Sequence, residues 1–182
     1  MNLYVIGGKA KNGKNTFSKL IKEELKIHGY KPCIMHLTEP LYTYARNHFE
    51  WDEYSNEKPR EFLQKMGIEI IKEKLGKKTF LLDRLVEDIE ILSNFFDTFI
   101  ITDARLKMEF EYLKEKFPNI TTIKLERDDF DNGLSENEKQ HITEVDLDDY
   151  NEFDYKIKNT NIIDLKKDAK KIVFAEVGEN NE

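Results

Sequence analysis

The chain holds a single cysteine, Cys33, among its 182 residues. One thiol excludes an internal disulfide framework and a zinc site built from cysteines alone, and it fits a reducing compartment. Histidines are scarce too: His28, His36, His48 and His141 are scattered without metal-ligand spacing. No Ser-His-acid or Cys-His arrangement of informative spacing offers a nucleophile and its base. No apolar run approaches the roughly 18–20 residues that span a bilayer. Residues 1–8 are apolar but lack a basic leader and run into a glycine turn, so they read as a buried strand. The cytoplasm is the expected location, and neither a membrane nor a nucleic-acid polymer is an expected partner. An excess of positive charge is also missing. Lys and Arg total 29 against 36 Asp and Glu, a net charge of −7, which speaks against a generally basic nucleic-acid binder. No internal repeat or linker stands out.

What is present fits one domain with one core, since 39% of residues are hydrophobic. Short β-branched and aromatic runs at 3–6, 31–37, 99–101, 120–125 and 153–157 read as strands. Between them, apolar residues at helical spacing predict helices over 16–29, 40–49, 59–76, 80–96 and 107–117, and a last one over 165–173. Asn56 to Pro59 read as a turn. Strands alternating with helices predict an α/β sandwich with a parallel sheet of about five strands and helices on both faces. Composition shifts sharply at 126–149, where ten acids stand against two bases. That segment carries −8 and leaves the remainder at +1. With few large apolar residues, it is expected to leave the core as an excursion. The domain is expected to span 1–177, and residues 178–182 to fray.

The strongest motif is Gly8-Lys9-Ala10-Lys11-Asn12-Gly13-Lys14-Asn15-Thr16, between the first strand and the first helix. Glycines bring backbone N–H groups close to phosphate oxygens, and the helix N-terminus adds unpaired donors and a favourable dipole. Lys14 supplies a charge for the outer phosphates, and the Thr16 hydroxyl can help hold magnesium. The strict loop has Ser or Thr directly after the lysine; here Asn15 intervenes, as in adenylate-kinase-like enzymes. An ordinary glycine turn with a solvated Lys14 is the bland alternative.

Further candidates follow the strands. Asp103 lies just beyond the hydrophobic run 99–101, where a parallel sheet lines its ligand crevice; it suits a magnesium-side acid or a helix cap. Arg105 suits a phosphate or a surface pair. Glu39 follows the second strand and suits acceptor orientation or capping, with Arg46 two turns on. Arg60 can grip a phosphate bidentately. Gln64, four residues later on the same helical face, can read a base or sugar edge. Arg84 sits in an apolar helix and either enters a cleft or snorkels. His141 and Glu144 fall in the acidic segment as candidate substrate contacts. The aromatics Tyr42, Tyr44, Phe49 and Trp51 read as core rather than as a base-stacking surface.

Taken in order, the phosphate loop, Glu39-Pro40-Leu41, Pro59-Arg60-Glu61-Phe62-Leu63-Gln64 and Ile101-Thr102-Asp103-Ala104-Arg105 resemble the deoxynucleoside monophosphate kinase family. His141-Ile142-Thr143-Glu144 and the segment from Phe153 to Asn159 add to the likeness, which covers most of residues 1–175. This branch of the P-loop nucleoside monophosphate kinases is also similar to animal-type phosphomevalonate kinases. The resemblance implies a three-layer P-loop core, a monophosphate-binding region over 38–95 and a lid over 126–149. It implies ATP and Mg2+ as cofactors and small nucleotides as partners, and leaves room for a homodimer. Lys14 and Thr16 carry over as ATP·Mg contacts, Asp103 as the magnesium-side acid, and Arg60 and Arg105 as acceptor or transfer residues. Arg127, opening the lid, carries over as a stabiliser of the transferring group. The segment departs from such lids in one respect: it holds only Arg127 and Lys139 as cations. The implied activity is phosphoryl transfer from ATP to a (deoxy)nucleoside monophosphate. The alternatives are transfer to phosphomevalonate or another small phosphorylated metabolite, and a nucleotide-binding regulatory module.

Overall fold

A computed structural model describes residues 1–52, 54, 59–128 and 130–178. Residues 56–58 of the expected turn and 179–182 of the tail expected to fray from 178 lie outside the described residues. The chain divides into two compact units, Met1–Met35 with Ile91–Glu182, and His36–Glu90.

The larger unit holds a five-stranded, wholly parallel sheet. Its strands are β1 (Asn2–Gly7), β2 (Pro32–Met35), β3 (Thr98–Ala104), β4 (Ile120–Glu126) and β5 (Tyr155–Lys158), in the spatial order β2-β3-β1-β4-β5. Parallel strands need helical crossovers, which cover both sheet faces. That is why β1 and β3 carry nearly continuous apolar runs, while β4 is equally buried although Thr121, Thr122 and Lys124 interrupt its apolar residues. On one face, α1 (Lys14–Ile27) and α8 (Ile162–Val177) bury Phe17, Ile21, Leu25, Leu165, Ile172 and Val173 against Tyr4, Ile6, Ile100, Ile123 and Leu125. Strand residues of the opposite parity, Leu3, Val5, Phe99 and Ile101, are equally buried. They face the side of α5 (Lys107–Lys116), whose Phe110 and Leu113 are fully buried. A Cβ on Gly7 would come 2.6 Å from the Phe110 ring, so this close helix–strand approach requires glycine.

The sequence places the final strand two residues early and starts α1 two residues late. The helix expected over 80–96 ends at Leu92, in α4 (Phe80–Leu92). Within the smaller unit, α2 (Glu39–His48) is followed by α3 (Arg60–Gln64), which runs on as a π-helical stretch over Lys65–Lys74. Gly67 lies in that stretch, and a Cβ there would press on Leu41 at 3.1 Å. The aromatics expected as core are only partly so: Tyr42 stacks on Trp51 at 5.4 Å, and Phe49 is exposed while touching Phe62 at 4.8 Å.

The acidic segment is better anchored than its composition predicts. It folds into two single-turn helices, α6 (Glu136–Lys139) and α7 (Ile142–Val145), and buries Leu134, Leu147 and, just beyond, Tyr150. Few apolar side chains suffice because its carboxylates find partners. Among the described residues, no helix is long and apolar enough to cross a membrane.

Candidate active site

The phosphate loop leaves the C-terminal end of the central strand β1, between the ends of β3 and β4. Connections from β1 and β4 run to opposite edges of the sheet, so the loop sits at the crevice that such a reversal opens. Gly8 at φ 133° and Gly13 at φ 98° adopt backbones that L side chains rarely take. Gly8 packs so tightly on β4 that a Cβ would come 2.2 Å from the Leu125 carbonyl oxygen.

The loop is braced from β4 and β5. Asn12 Nδ2 donates to the Leu125 carbonyl at 2.8 Å, and Asn159 Nδ2 donates to the Asn12 carbonyl at 2.9 Å. The Asn159 N–H in turn donates to the Glu126 carbonyl at 2.7 Å. Lys14 is buried, and its Nζ donates to the carbonyls of Gly8 (2.7 Å) and Lys9 (2.8 Å), folding it back along the loop. Asn15 and Thr16 are exposed in the first turn of α1, and Lys11 is exposed at φ 59°. The Thr16 hydroxyl and the Asp103 carboxylate are hard oxygen donors of the kind magnesium takes alongside nucleotide phosphates. No cluster of three or more His, Cys, Asp or Glu able to cage a metal occurs among the described residues. Such a donor set fits an ion that arrives with its nucleotide.

Asp103 lies within β3 rather than beyond it, because the strand runs three residues past Ile101. The pairing of β3 with β1 slips at this point: Val5 faces Ile101 while Gly7 faces Ala104. The extra residue makes a bulge at the level of Thr102 and Asp103, next to the strand end from which the loop leaves. Arg105 follows on a backbone fixed by buried Glu109, whose Oε2 accepts from the N–H groups of Arg105 (2.8 Å) and Leu106 (3.1 Å).

The acidic segment folds back onto this ground. Glu144 is buried; its Oε2 accepts from the Ala10 N–H at 2.9 Å, and its Oε1 pairs with the Arg105 guanidinium. Asp148 pairs with Lys9 at 2.8 Å. Asp146 accepts from the Lys107 N–H at 2.6 Å, and Asp149 pairs with the Lys107 ammonium at 2.7 Å. That last hydrogen bond is the main reason the Asp149 carboxyl titrates below, and the Lys107 ammonium above, its ordinary range. His141, expected at a substrate, caps α7: its Nδ1 accepts from the Thr143 N–H at 3.3 Å. Arg127 is exposed and stacks over the Phe130 ring at 3.7 Å. A cavity of about 330 Å³ opens beside the loop, lined among others by Gly8, Lys9, Asn12, Arg127, Phe130 and Glu144.

The remaining candidates belong to the smaller unit. Glu39 and Arg46 pair with each other at 2.5 Å on α2. Arg60 and Gln64 share α3 and are partly buried. Arg84 is exposed and reaches over the Phe80 ring at 5.8 Å. Asn159, Glu109 and Asp148 are absent from the sequence-derived candidates. Asn159 had a signal, as the polar residue ending a strand; Glu109 and Asp148 look like surface acids until the fold pairs them.

A phosphate loop at the centre of a parallel sheet in the order 2-3-1-4-5 defines the fold of the P-loop kinases. No protein-family model matches the chain, and no curated protein matches it in sequence. Solved structures do. The Mycobacterium tuberculosis APS kinase CysC, in complex with AMPPNP and APS, aligns with a TM-score of 0.59 and 8% identity, over 94% of this chain and 95% of that one. An unliganded sugar kinase from Janibacter sp. HTCC2649 aligns with a TM-score of 0.52 and 12% identity, over 98% and 95%. At these identities the likeness is one of fold.

Proposed function

We propose that this protein transfers the terminal phosphoryl group of ATP to a small phosphorylated acceptor, with a (deoxy)nucleoside monophosphate as the acceptor class. The observation that carries the reading is the phosphate loop itself: a buried lysine in a braced glycine loop at the C-terminal end of the central strand. The APS kinase of similar fold holds AMPPNP, which supports ATP as the donor. The ordered motifs with Arg60, Gln64 and Arg105 support a phosphorylated acceptor.

In this reading Lys14 leaves the loop carbonyls to neutralise the donor phosphates. Loop N–H groups hold their oxygens, and preorganised donors make that stabilisation efficient. Thr16 and Asp103 would hold magnesium, which supplies charge neutralisation on the donor phosphates when bound. Arg60 grips the acceptor phosphate, with Gln64, Glu39, Arg46 and Arg84 as candidate neighbours in acceptor recognition. Arg105 and Arg127 offset the charge that develops on the transferring group. The acceptor phosphate is already a nucleophile, so no side-chain base is required. Segment 126–149 serves as the lid that excludes water.

The test is initial ADP formation from ATP·Mg across all common ribo- and deoxyribonucleoside monophosphates plus phosphomevalonate, against a no-acceptor control. Acceptor-dependent ADP with one nucleotide is the expected result. Tight ATP binding with no acceptor-dependent ADP sinks the transfer reading in favour of a binding module, and a phosphomevalonate signal moves the acceptor class. Lys14→Ala should lower kcat/KM about a hundredfold or more. Arg60→Ala should raise acceptor KM about tenfold with the ATP affinity unchanged.

A further inference from the structure

The acidic segment poses a problem for a site that binds polyanions. Its −8 charge ought to repel phosphates, yet its carboxylates lie against the donors a phosphate needs. One loop N–H (Ala10) and one guanidinium (Arg105) are both taken by the single carboxylate of Glu144. A loop ammonium, Lys9, is taken by Asp148. Glu144 and Asp148 are four residues apart, so one short stretch, the end of α7 and the turn after it, delivers both acids. Asp146 and Asp149 fasten the same stretch to the start of α5 through the Lys107 N–H and ammonium. The Glu144 contact at the loop is buried, the Asp146 bond to the Lys107 N–H is half-buried, and the Asp149–Lys107 pair lies at the surface. A carboxylate and a phosphate oxygen compete for the same N–H and guanidinium hydrogens, and two such anions cannot share them without repulsion.

We infer that Glu144, assisted by Asp148, is an internal anion of the phosphate loop, so that a polyphosphate gains the Ala10 N–H, Arg105 and Lys9 only by displacing the 141–149 stretch. Nucleotide entry is thereby coupled to release of the 141–149 stretch from the loop, and the segment closes as a lid only in a second arrangement, over the bound phosphates. Arg105 changes partner from a carboxylate to a phosphate, and the half-buried guanidinium is never left without a counter-charge. This deepens the reading above and rests on its phosphate-loop half alone.

The experiment is calorimetric titration of inorganic tripolyphosphate into wild type, Glu144→Gln, Asp148→Asn and Lys14→Ala, with amide exchange of residues 141–149 followed in wild type. In Glu144→Gln the new side-chain amide oxygen can still accept from the Ala10 N–H, so that contact is kept while the competing charge and the Arg105 pair are lost. Glu144→Gln should bind about tenfold more tightly, and Asp148→Asn, an exposed pair, about twofold to threefold. Lys14→Ala should abolish binding, and tripolyphosphate should speed exchange in 141–149. Equal or weaker binding by Glu144→Gln, slower exchange on binding, or no binding to any variant overturns the inference; weaker binding would make Glu144 a brace of the loop. If Glu144→Gln fails to fold, Asp148→Asn and the exchange experiment decide. Absence of acceptor-dependent ADP alongside tighter binding by Glu144→Gln would sink the transfer reading and leave this one standing.

Discussion

At the scale of single residues, Gly8 cannot take a methyl group. Its φ of 133° disfavours any side chain, and the obstacle at 2.2 Å is a backbone oxygen of β4 that cannot rotate away. Gly8→Ala should therefore cost about 2–4 kcal/mol and impair ATP binding, measured by denaturant unfolding and titration. No loss in either would show that the loop relaxes freely. Asn159→Ala removes one donor from the Asn12 carbonyl and should cost about 1 kcal/mol. Its ATP affinity should fall several-fold while kcat at saturation holds; a fall in kcat alone would refute a positioning role. The loop residues were legible in the sequence because glycine and lysine at fixed spacing express a backbone requirement. Asn159 was legible only as a polar residue after a strand, because the partner that makes it a brace is 147 residues away.

At the scale of elements, the attachment of the acidic segment to α5 depends on pH in a direction set by its two titrating groups. The Asp149 carboxyl is held below its ordinary range, chiefly by the hydrogen bond from Lys107. Its contribution is complete above the unfolded value and lost as pH falls through the folded one. Lys107 is raised, chiefly by the same bond, so its contribution is complete below its unfolded value and lost as pH rises through the folded one. The attachment should hold across the neutral range and loosen below about pH 4. Pepsin cleavage within 141–149 should rise on acidification in wild type and be already high in Lys107→Met. Identical profiles would remove this pair from the account. Helix and strand identities were largely legible here, since β1 and β3 hold dense apolar runs, β4 is rich in β-branched residues, and α1 carries Phe17, Ile21 and Leu25 at helical spacing. The segment's packing was not. Composition shows ten acids and two bases, but not that Lys9, Arg105 and Lys107, all outside it, supply the missing cations. The bulge at Thr102 and Asp103 was equally hidden, because these residues read locally as the end of a strand.

At the scale of the whole molecule, a ligand that binds the folded chain stabilises it in proportion to its occupancy. ATP·Mg at a hundred times its Kd should add about 2.7 kcal/mol, which for this size raises Tm by about 5–10 °C. Lys14→Ala should abolish the shift, and a wild type with no shift at saturating ATP would sink the donor-site reading. The parallel sheet was expected from the alternation of strands and helices, but its strand order was not, because alternation does not say which strands become neighbours. That order puts the first strand in the middle, and it carries a consequence for biogenesis. The clamp on Asn12 comes from Asn159, and the helix that packs on α1 is the last of the described elements. At roughly 5–20 residues per second of synthesis, the loop, made within the first 16 residues, waits many seconds on the ribosome for its second brace. A nascent chain halted before β5 would own every residue of the phosphate motif and its brace from β4, and still lack the second clamp on Asn12.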